Sequence, residues 1–413
     1  MSTCRLCHSN SMKSVVKLKP MPIGDAYLAK EHLKNQDLFD MDLFLCQHCG
    51  LAQLLEVVSP DDIYRPYIYR TSDSKGLVEH FRKYVETICD KFTPPKGVLA
   101  IDIGSNDGTL LGFCKNKGMK VLGFDPATTI AGEATASGIP TRPEFFNLDT
   151  ARKARQNHGQ ACVITANNVF ANINNADNFI LGVKELLLPD GIFVFETGYV
   201  LDLLQKTIFD NIYHEHLSYF SVKPLDQFFK RHDMRIIDVE RINTKGGSIR
   251  CFVQHVSGSK KQSPNVSTIM RLEEDYGVQD AQTFALFYDD VNLIKRKILS
   301  LLKKLKNNKR KIAGYGASIG VTTMLYNCEL GEGFIDYLVD DNHGRQGLYS
   351  PGCHIPVLSP KELYIKKPDY VVILAWQYAE PIIAQHKQYL ENGGYFIRLL
   401  PQVRIIDKND PIS

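Results

Sequence analysis

From residue 97 onward, short apolar runs alternate with amphipathic segments. VLAIDIG (98–104), KVLGFD (120–125), VITANN (163–168) and GIFVFETG (191–198) are apolar through their centres, as strands buried on both faces are. Between the first two, LLGFCKNKG reads as a helix closed by Gly118. Just upstream, GLVEHFRKYVETICDKFT (76–93) carries apolar residues near helical spacing, and TPPKG ends it. This is the βαβ rhythm of a doubly wound parallel sheet. A second such series begins with KIAGYGAS (311–318), DYLVDDN (336–342) and DYVVILAW (369–376), after a polar stretch at 257–267 and a helical region at 285–308. Before residue 75 the runs are short and strand-like, with little helical periodicity. The expected fold is α/β: a small N-terminal module (1–75), then two doubly wound Rossmann-like domains (76–256 and 257–413).

Composition narrows the class. Of 413 residues, 44% are hydrophobic and 23% charged, which excludes wholesale disorder and fibrous repeats. Lys and Arg number 49 against 46 Asp and Glu, a net charge of +3, so neither nucleic acid nor a membrane surface is an expected partner. The start, MSTCRLCHSN, lacks a basic stretch followed by an apolar one, and no long apolar run follows, so neither a signal peptide nor a membrane span is expected. A cytoplasmic location with reduced thiols is the resulting expectation.

Reduced thiols give the cysteines meaning. Six of the ten are isolated, while four form two knuckles, Cys4-x2-Cys7 and Cys46-x2-Cys49. Each CxxC turn points two thiolates at one ion, and two turns complete a tetrahedral Zn2+ site with no open position for water. The zinc is therefore expected to be structural, holding together a module too small for a good core. His8 and His48 sit beside ligand positions as conceivable substitutes.

Two further stretches carry chemistry. VLAIDIGSNDGTLL places Asp102, Gly104, Asn106 and Gly108 where a strand turns into a helix, whose free N–H groups and close backbone approach suit a ligand. With Asn106 and Asp107 inside it, the loop is not GxGxxG. An acidic strand end followed by GxNxG suits S-adenosylmethionine (SAM), whose methionine end is cationic, better than a pyrophosphate. Asp125 ends the next strand about 20 residues on, where a carboxylate can take ribose hydroxyls. FDNIYHEHLSYFS (209–221) packs Tyr213, His214, Glu215, His216, Ser218 and Tyr219 together. HEH lacks the HExxH spacing of a zinc protease. A neutral His can remove a proton beside a carbonyl, a Glu can orient it, and a Tyr can stabilise the developing enolate.

Together these pieces resemble the sugar C-methyltransferases that build branched-chain deoxysugars on nucleotide carriers. The resemblance spans essentially the whole chain: the zinc module, YIYRTSDS (67–74), IGSNDG (103–108), ANNVFA (166–171), YHEH (213–216), KGGSIR (245–250) and a C-terminal Rossmann-like domain. It implies SAM-dependent methylation at carbon of a nucleotide-linked (NDP) keto-deoxysugar. His216 would abstract the proton alpha to the ketone, with Tyr213 and Glu215 holding the sugar and stabilising the enolate. A tyrosine of the N-terminal segment also lines the family's site, and Tyr69 or Tyr67 matches it. Asn167 and Asn168, at the ANNVFA strand end, fall to the cofactor. One departure stands out: the family often has His after ANNVFA, and here Asn172 occupies that place, able to hydrogen-bond but not to shuttle a proton.

The C-terminal turn, IAGYGASIGVTT, offers Gly316 and Ser318, with VDDN ending the next strand. It could be a second dinucleotide site. The resemblance favours a scaffold that closes the substrate cleft, with Gly316, Ser318, Lys245 and Arg250 near the diphosphate. Two alternatives to the methyltransferase are thus an NAD(P)-dependent oxidoreductase or epimerase using that turn, and a non-enzymatic zinc-ribbon interaction module. The Tyr213–His216 constellation argues against the latter.

Overall fold

The computed structural model describes residues 3–33, 35–331 and 333–410. The first sheet is built from β1 (Met12–Val16), β2 (Leu43–Cys46) and β3 (Ala52–Leu54), all antiparallel. The Cys4–Cys7 knuckle precedes β1, and the Cys46–Cys49 knuckle forms the β2–β3 turn. Helix Lys75–Phe92 then leads into the middle domain, its Ser74 cap accepting from Leu77 N at 3.4 Å, with Phe81, Tyr84, Val85 and Ile88 on its buried face.

The middle sheet starts with β4 (Leu99–Ile103), β5 (Lys120–Phe124), β6 (Thr141–Arg142), β7 (Ala161–Asn167) and β8 (Leu187–Gly198). The chain next leaves this sheet: β9 (Ser218–Tyr219) pairs with β3, so the catalytic-type stretch supplies the fourth strand of the N-terminal sheet. It returns as β10 (Met234–Ile242) and β11 (Ser248–His255), giving the seven-stranded order β10-β11-β8-β7-β4-β5-β6. The parallel strands β4, β5, β7 and β8 are apolar because helices cover both faces. The C-terminal sheet has β12 (Ile312–Tyr315), β13 (Tyr337–Val339), β14 (Val357–Leu358), β15 (Tyr370–Ile373), β16 (Tyr395–Arg398) and β17 (Arg404–Ile406), in the order β14-β13-β12-β15-β16-β17.

The polar stretch at 257–267 gives way at Pro264 to a helix, Pro264–Tyr276, capped by Ser263. Its buried Glu273 accepts from Tyr199 Oη at 2.9 Å and from Val222 N at 2.7 Å, which fastens it to the middle domain. Helix Ala281–Asn307 follows and also lies against β1. One continuous apolar core runs from Leu6 and Leu45 through Phe195 and Phe229 to Leu325 and Leu374, so the three sheets pack as one body. Among the described residues, no helix is long and apolar enough to cross a membrane.

Candidate active site

A cavity of about 290 Å3 opens where the three parts meet. One wall is the glycine turn after β4, with Asp102, Gly104 and Asn106, and behind it Asp125 at the end of β5. Asn167, Asn168 and Asn172 line the end of β7. The N-terminal segment contributes Tyr64, Tyr67 and Tyr69, the opposite wall Tyr213, Glu215 and His216, and the rim Lys245 and Ile319.

The turn is shaped for close approach. Gly104 has φ +72°, and a Cβ there would lie 2.4 Å from Val169 Cγ2, so only glycine fits. Asn106 joins three pieces: its N–H donates to Asp125 Oδ2 (2.8 Å), its Nδ2 to Tyr69 O (2.9 Å), and its Oδ1 accepts from Thr71 N (2.9 Å). Asp107 Oδ2 accepts from Ser72 N at 2.8 Å. The IGSNDG and YIYRTSDS motifs are therefore hydrogen-bonded partners, far apart in sequence. Asp102 is buried and accepts from Thr165 Oγ1 at 2.6 Å, and burial pushes its carboxyl up to about 7. Both side-chain polar atoms of Asn167 and the Oδ1 of Asn172 are buried without a protein partner, which leaves them for a ligand.

The opposite wall holds a paired Tyr and His. His216 Nδ1 lies 3.0 Å from Asn211 O, which can only accept, so Nδ1 carries the proton. Its Nε2 lone pair then accepts from Tyr213 Oη at 3.0 Å, with the rings 4.1 Å apart. Enclosure, aided by nearby Lys245, pushes His216 down to about 4, so the imidazole is neutral near pH 7. Burial first, and the Asp25 charge second, push Glu215 up to about 7. Lys245 sits on the β10–β11 hairpin at φ +49°, followed by Gly246 (φ +87°) and Gly247 (φ +152°). A Cβ on Gly247 would lie 2.2 Å from Asp202, so the hairpin can pass that close only with glycine. Enclosure of the Lys245 ammonium among the cavity walls lowers its pKa, partly offset by Glu215 and Glu196. His214 points away, edge-on to Phe39 at 5.5 Å between ring centroids.

The zinc knuckles converge as well. The four sulfurs lie within 4.8 Å of one another, with Cys4–Cys49 at 3.6 Å and Cys7–Cys46 at 3.5 Å. A tetrahedron of Zn–S bonds of about 2.3 Å needs sulfurs about 3.8 Å apart, so the set fits Zn2+.

Comparison with known proteins assigns the chain. Residues 4–64 match a zinc binding domain, 78–239 a methyltransferase domain, and 243–401 a C-methyltransferase C-terminal domain. The C-methyltransferase NovU of Streptomyces niveus is 33% identical over 404 residues, covering 98% of this chain and 96% of NovU. The chain belongs to the C-methyltransferase family. It is a SAM-dependent enzyme with a zinc-binding module, and this decides against the NAD(P)-dependent alternative. Among solved structures, the magnesium protoporphyrin IX methyltransferase of Synechocystis PCC 6803 with bound SAH is 18% identical, over 43% of this chain and 83% of that one, at a TM-score of 0.32. A putative methyltransferase complexed with its Trm112 activator from Haloferax volcanii is 11% identical over 45% and 94%, at 0.36. At such scores these likenesses add nothing to the family membership.

Of the residues expected at the cofactor or the sugar nucleotide, four stand away from the cavity: Gly108, Arg250, Gly316 and Ser318. Arg250 was expected near a diphosphate, but on β11 it faces Glu196 of β8 and Glu240 of β10 in register. Its guanidinium is buried against Glu196 (2.5 Å) and Glu240 (3.2 Å), and stacks over Tyr84 at 4.4 Å. Gly108 starts helix Thr109–Asn116 at φ +79° and backs onto Ile139. Gly316 backs onto Ala375, and Ser318 stands exposed at the start of the next helix without a side-chain cap; its neighbour Ile319 is what reaches the cavity. Conversely, Tyr64, Ile173 and Asn174 line the cavity without having been singled out. The one signal for Tyr64 was its spacing of three and five residues from Tyr67 and Tyr69.

Proposed function

We propose that this enzyme methylates a carbon of an NDP-linked keto-deoxysugar, with His216 as the base. What carries the reading is the Tyr213–His216 pair: a neutral imidazole with its Nε2 lone pair aimed along the wall of the same cavity that the glycine turn lines. When bound, SAM supplies an electrophilic methyl group. Asp102, Gly104, Asn106, Asp125, Asn167 and Asn168 are the residues we assign to holding it. Tyr67, Tyr69, Asn172 and Lys245 fall to the sugar nucleotide.

The residues support a stepwise account. Tyr213 Oη, which donates to His216 Nε2, turns to the substrate oxygen and frees the lone pair. Nε2 then takes the proton alpha to the ketone, while Asn211 O steadies the resulting imidazolium through Nδ1–H. Glu215, half protonated near pH 7, donates to the ketone oxygen as it becomes an enolate, and the Lys245 ammonium adds positive charge at the rim. Asn172 offers a hydrogen bond where a His would offer a proton, so it positions the sugar and takes no part in proton transfer. The four thiolates hold Zn2+ as a structural ion.

The test is incubation with SAM and a panel of NDP-4-keto-6-deoxysugars. The expected result is a mass gain of one methylene on one sugar, with the new methyl on carbon by NMR. Transfer to oxygen or nitrogen, or to no sugar nucleotide while another small molecule is methylated at carbon, would refute the substrate class.

A further inference from the structure

Arg5 lies between two zinc ligands, Cys4 and Cys7, and its side chain bonds both to β3 of the module and to two loops outside it. It is only 8% exposed. Its Nε donates to Asn174 Oδ1 at 3.0 Å, and its Nη1 to Leu217 O at 3.3 Å, to Gln53 Oε1 at 3.4 Å and, more closely, to Leu54 O. Its own N–H donates to the same Gln53 Oε1 at 3.1 Å. These partners have positions of consequence. Leu217 follows His216 directly, and Asn174 lines the cavity two residues after Asn172. The Leu217 carbonyl also accepts from Leu54 N at 3.0 Å, and the register continues with Gln53 opposite Ser218 and Ala52 opposite Tyr219.

We propose that Arg5 is a positioning residue for methyl transfer, tying the His216 loop and the Asn172–Asn174 loop to the zinc knuckle. The proposal rests on the reading of His216 as the base. A planar fork of five donors can satisfy a side-chain amide and several carbonyls from one point, which an ammonium cannot. A buried cation also needs a counter-charge, and among the described residues no carboxylate pairs with Arg5. The neighbouring tetrathiolate centre, doubly negative with Zn2+ bound, supplies it. The route from metal to base is short: knuckle, Arg5, then Leu217 O beside His216. The zinc module thereby sets where the base stands, in addition to folding its own sheet.

The test uses the full-length, zinc-loaded enzyme and the variants Arg5→Lys and Arg5→Met. Zinc content, SAM affinity by calorimetry, kcat and KM with the panel sugar that the parent methylates, and amide hydrogen exchange are measured together. One zinc per chain and parental SAM affinity are expected to persist. The kcat should fall about 10- to 100-fold in Arg5→Met, the scale on which a misplacement of about 1 Å acts, with KM for SAM unchanged and Arg5→Lys in between. Amide exchange should quicken in 209–221 and 172–175 and stay parental elsewhere. A zinc-loaded Arg5→Met enzyme at the parental kcat overturns the proposal, as does uniformly faster exchange. Where Arg5→Met sheds zinc, Asn174→Leu replaces it, since it removes the Nε acceptor and leaves the knuckle intact. The same kcat loss is expected there, and a parental kcat again overturns the proposal. His216→Ala is run alongside. If it stays active, the base assignment has failed; if it is inactive while the Arg5 variants are normal, only the positioning role has failed.

Discussion

The molecule contains the same local device twice, and the two copies are built over differently. After β4 and after β12, a strand runs into a glycine turn and a helix, and the next strand ends in an aspartate that accepts from the turn: Asp125 from Asn106 N at 2.8 Å, Asp340 from Ala317 N at 2.6 Å. The difference lies in what packs over each turn. Gly104, Asn106 and Asp125 look into open space with unpartnered Asn167 across from them. After the second turn, the start of the following helix is packed against other parts of the chain. A Cβ on Gly320 would lie 3.0 Å from Asp210 O, one on Gly24 would lie 2.6 Å from Ile319 Cγ2, and Thr322 Oγ1 donates to Gly24 O at 2.7 Å. Trp376 Nε1 closes the joint on Asp210 Oδ2 at 2.8 Å. A glycine turn after a strand offers backbone N–H groups, but a ligand site also needs a neighbour that stays away. In the C-terminal domain the helix that follows the turn has become a joint to the other two parts.

Substitutions at paired positions can break this contrast. The largest effect is expected at Gly104→Val. The left-handed φ alone costs about 3 kcal/mol for a branched residue, and the clash with Val169 adds to it, so SAM affinity by calorimetry should drop at least about 100-fold. The counterpart, Gly316→Val, meets Ala375 and should lower the melting temperature while SAM affinity in the folded fraction is kept. Next, Asp125→Ala removes a carboxylate that fixes Asn106 and Ala127, and SAM should bind about 10-fold more weakly. In kcat/KM against pH, His216 sits near 4, while Glu215 and the SAM-side Asp102 both sit near 7, so the Glu215 variant is what separates the two. A protonated Glu215 acting as donor predicts a flat rate below about 7 and a fall above it, and Glu215→Gln should remove the fall. A rise through 7 would mean the carboxylate is the working form. The smallest effect is expected at Asp340→Asn, with SAM affinity unchanged within about twofold, because an amide oxygen still accepts from Ala317.

What was legible in the sequence followed the range of the interactions. Each zinc knuckle, the glycine turn and the YHEH stretch is written within a few residues, and local spacing is enough to read them. The strands of the middle sheet were legible because burial on both faces leaves a continuous apolar run. Arg250 was misread because its role depends on strand register: β11 places it between Glu196 and Glu240, which no local pattern reveals. The packing of the helix after the second turn was not legible, since Asp210 and Gly24, which meet it, lie far away in the chain. Arg5 and Asn174 escaped notice for the same reason, as did the return of β9 to the N-terminal sheet.

The most direct test of the central claim follows the proton that His216 is proposed to remove. The parent enzyme and His216→Ala are each incubated in D2O with S-adenosylhomocysteine and the panel sugar that the parent methylates, and deuterium at the carbon alpha to the ketone is followed by NMR. The account predicts exchange by the parent, none above background by His216→Ala, and equal SAM affinity for the two. Exchange at the parental rate by His216→Ala would contradict it and move the base elsewhere in the cavity.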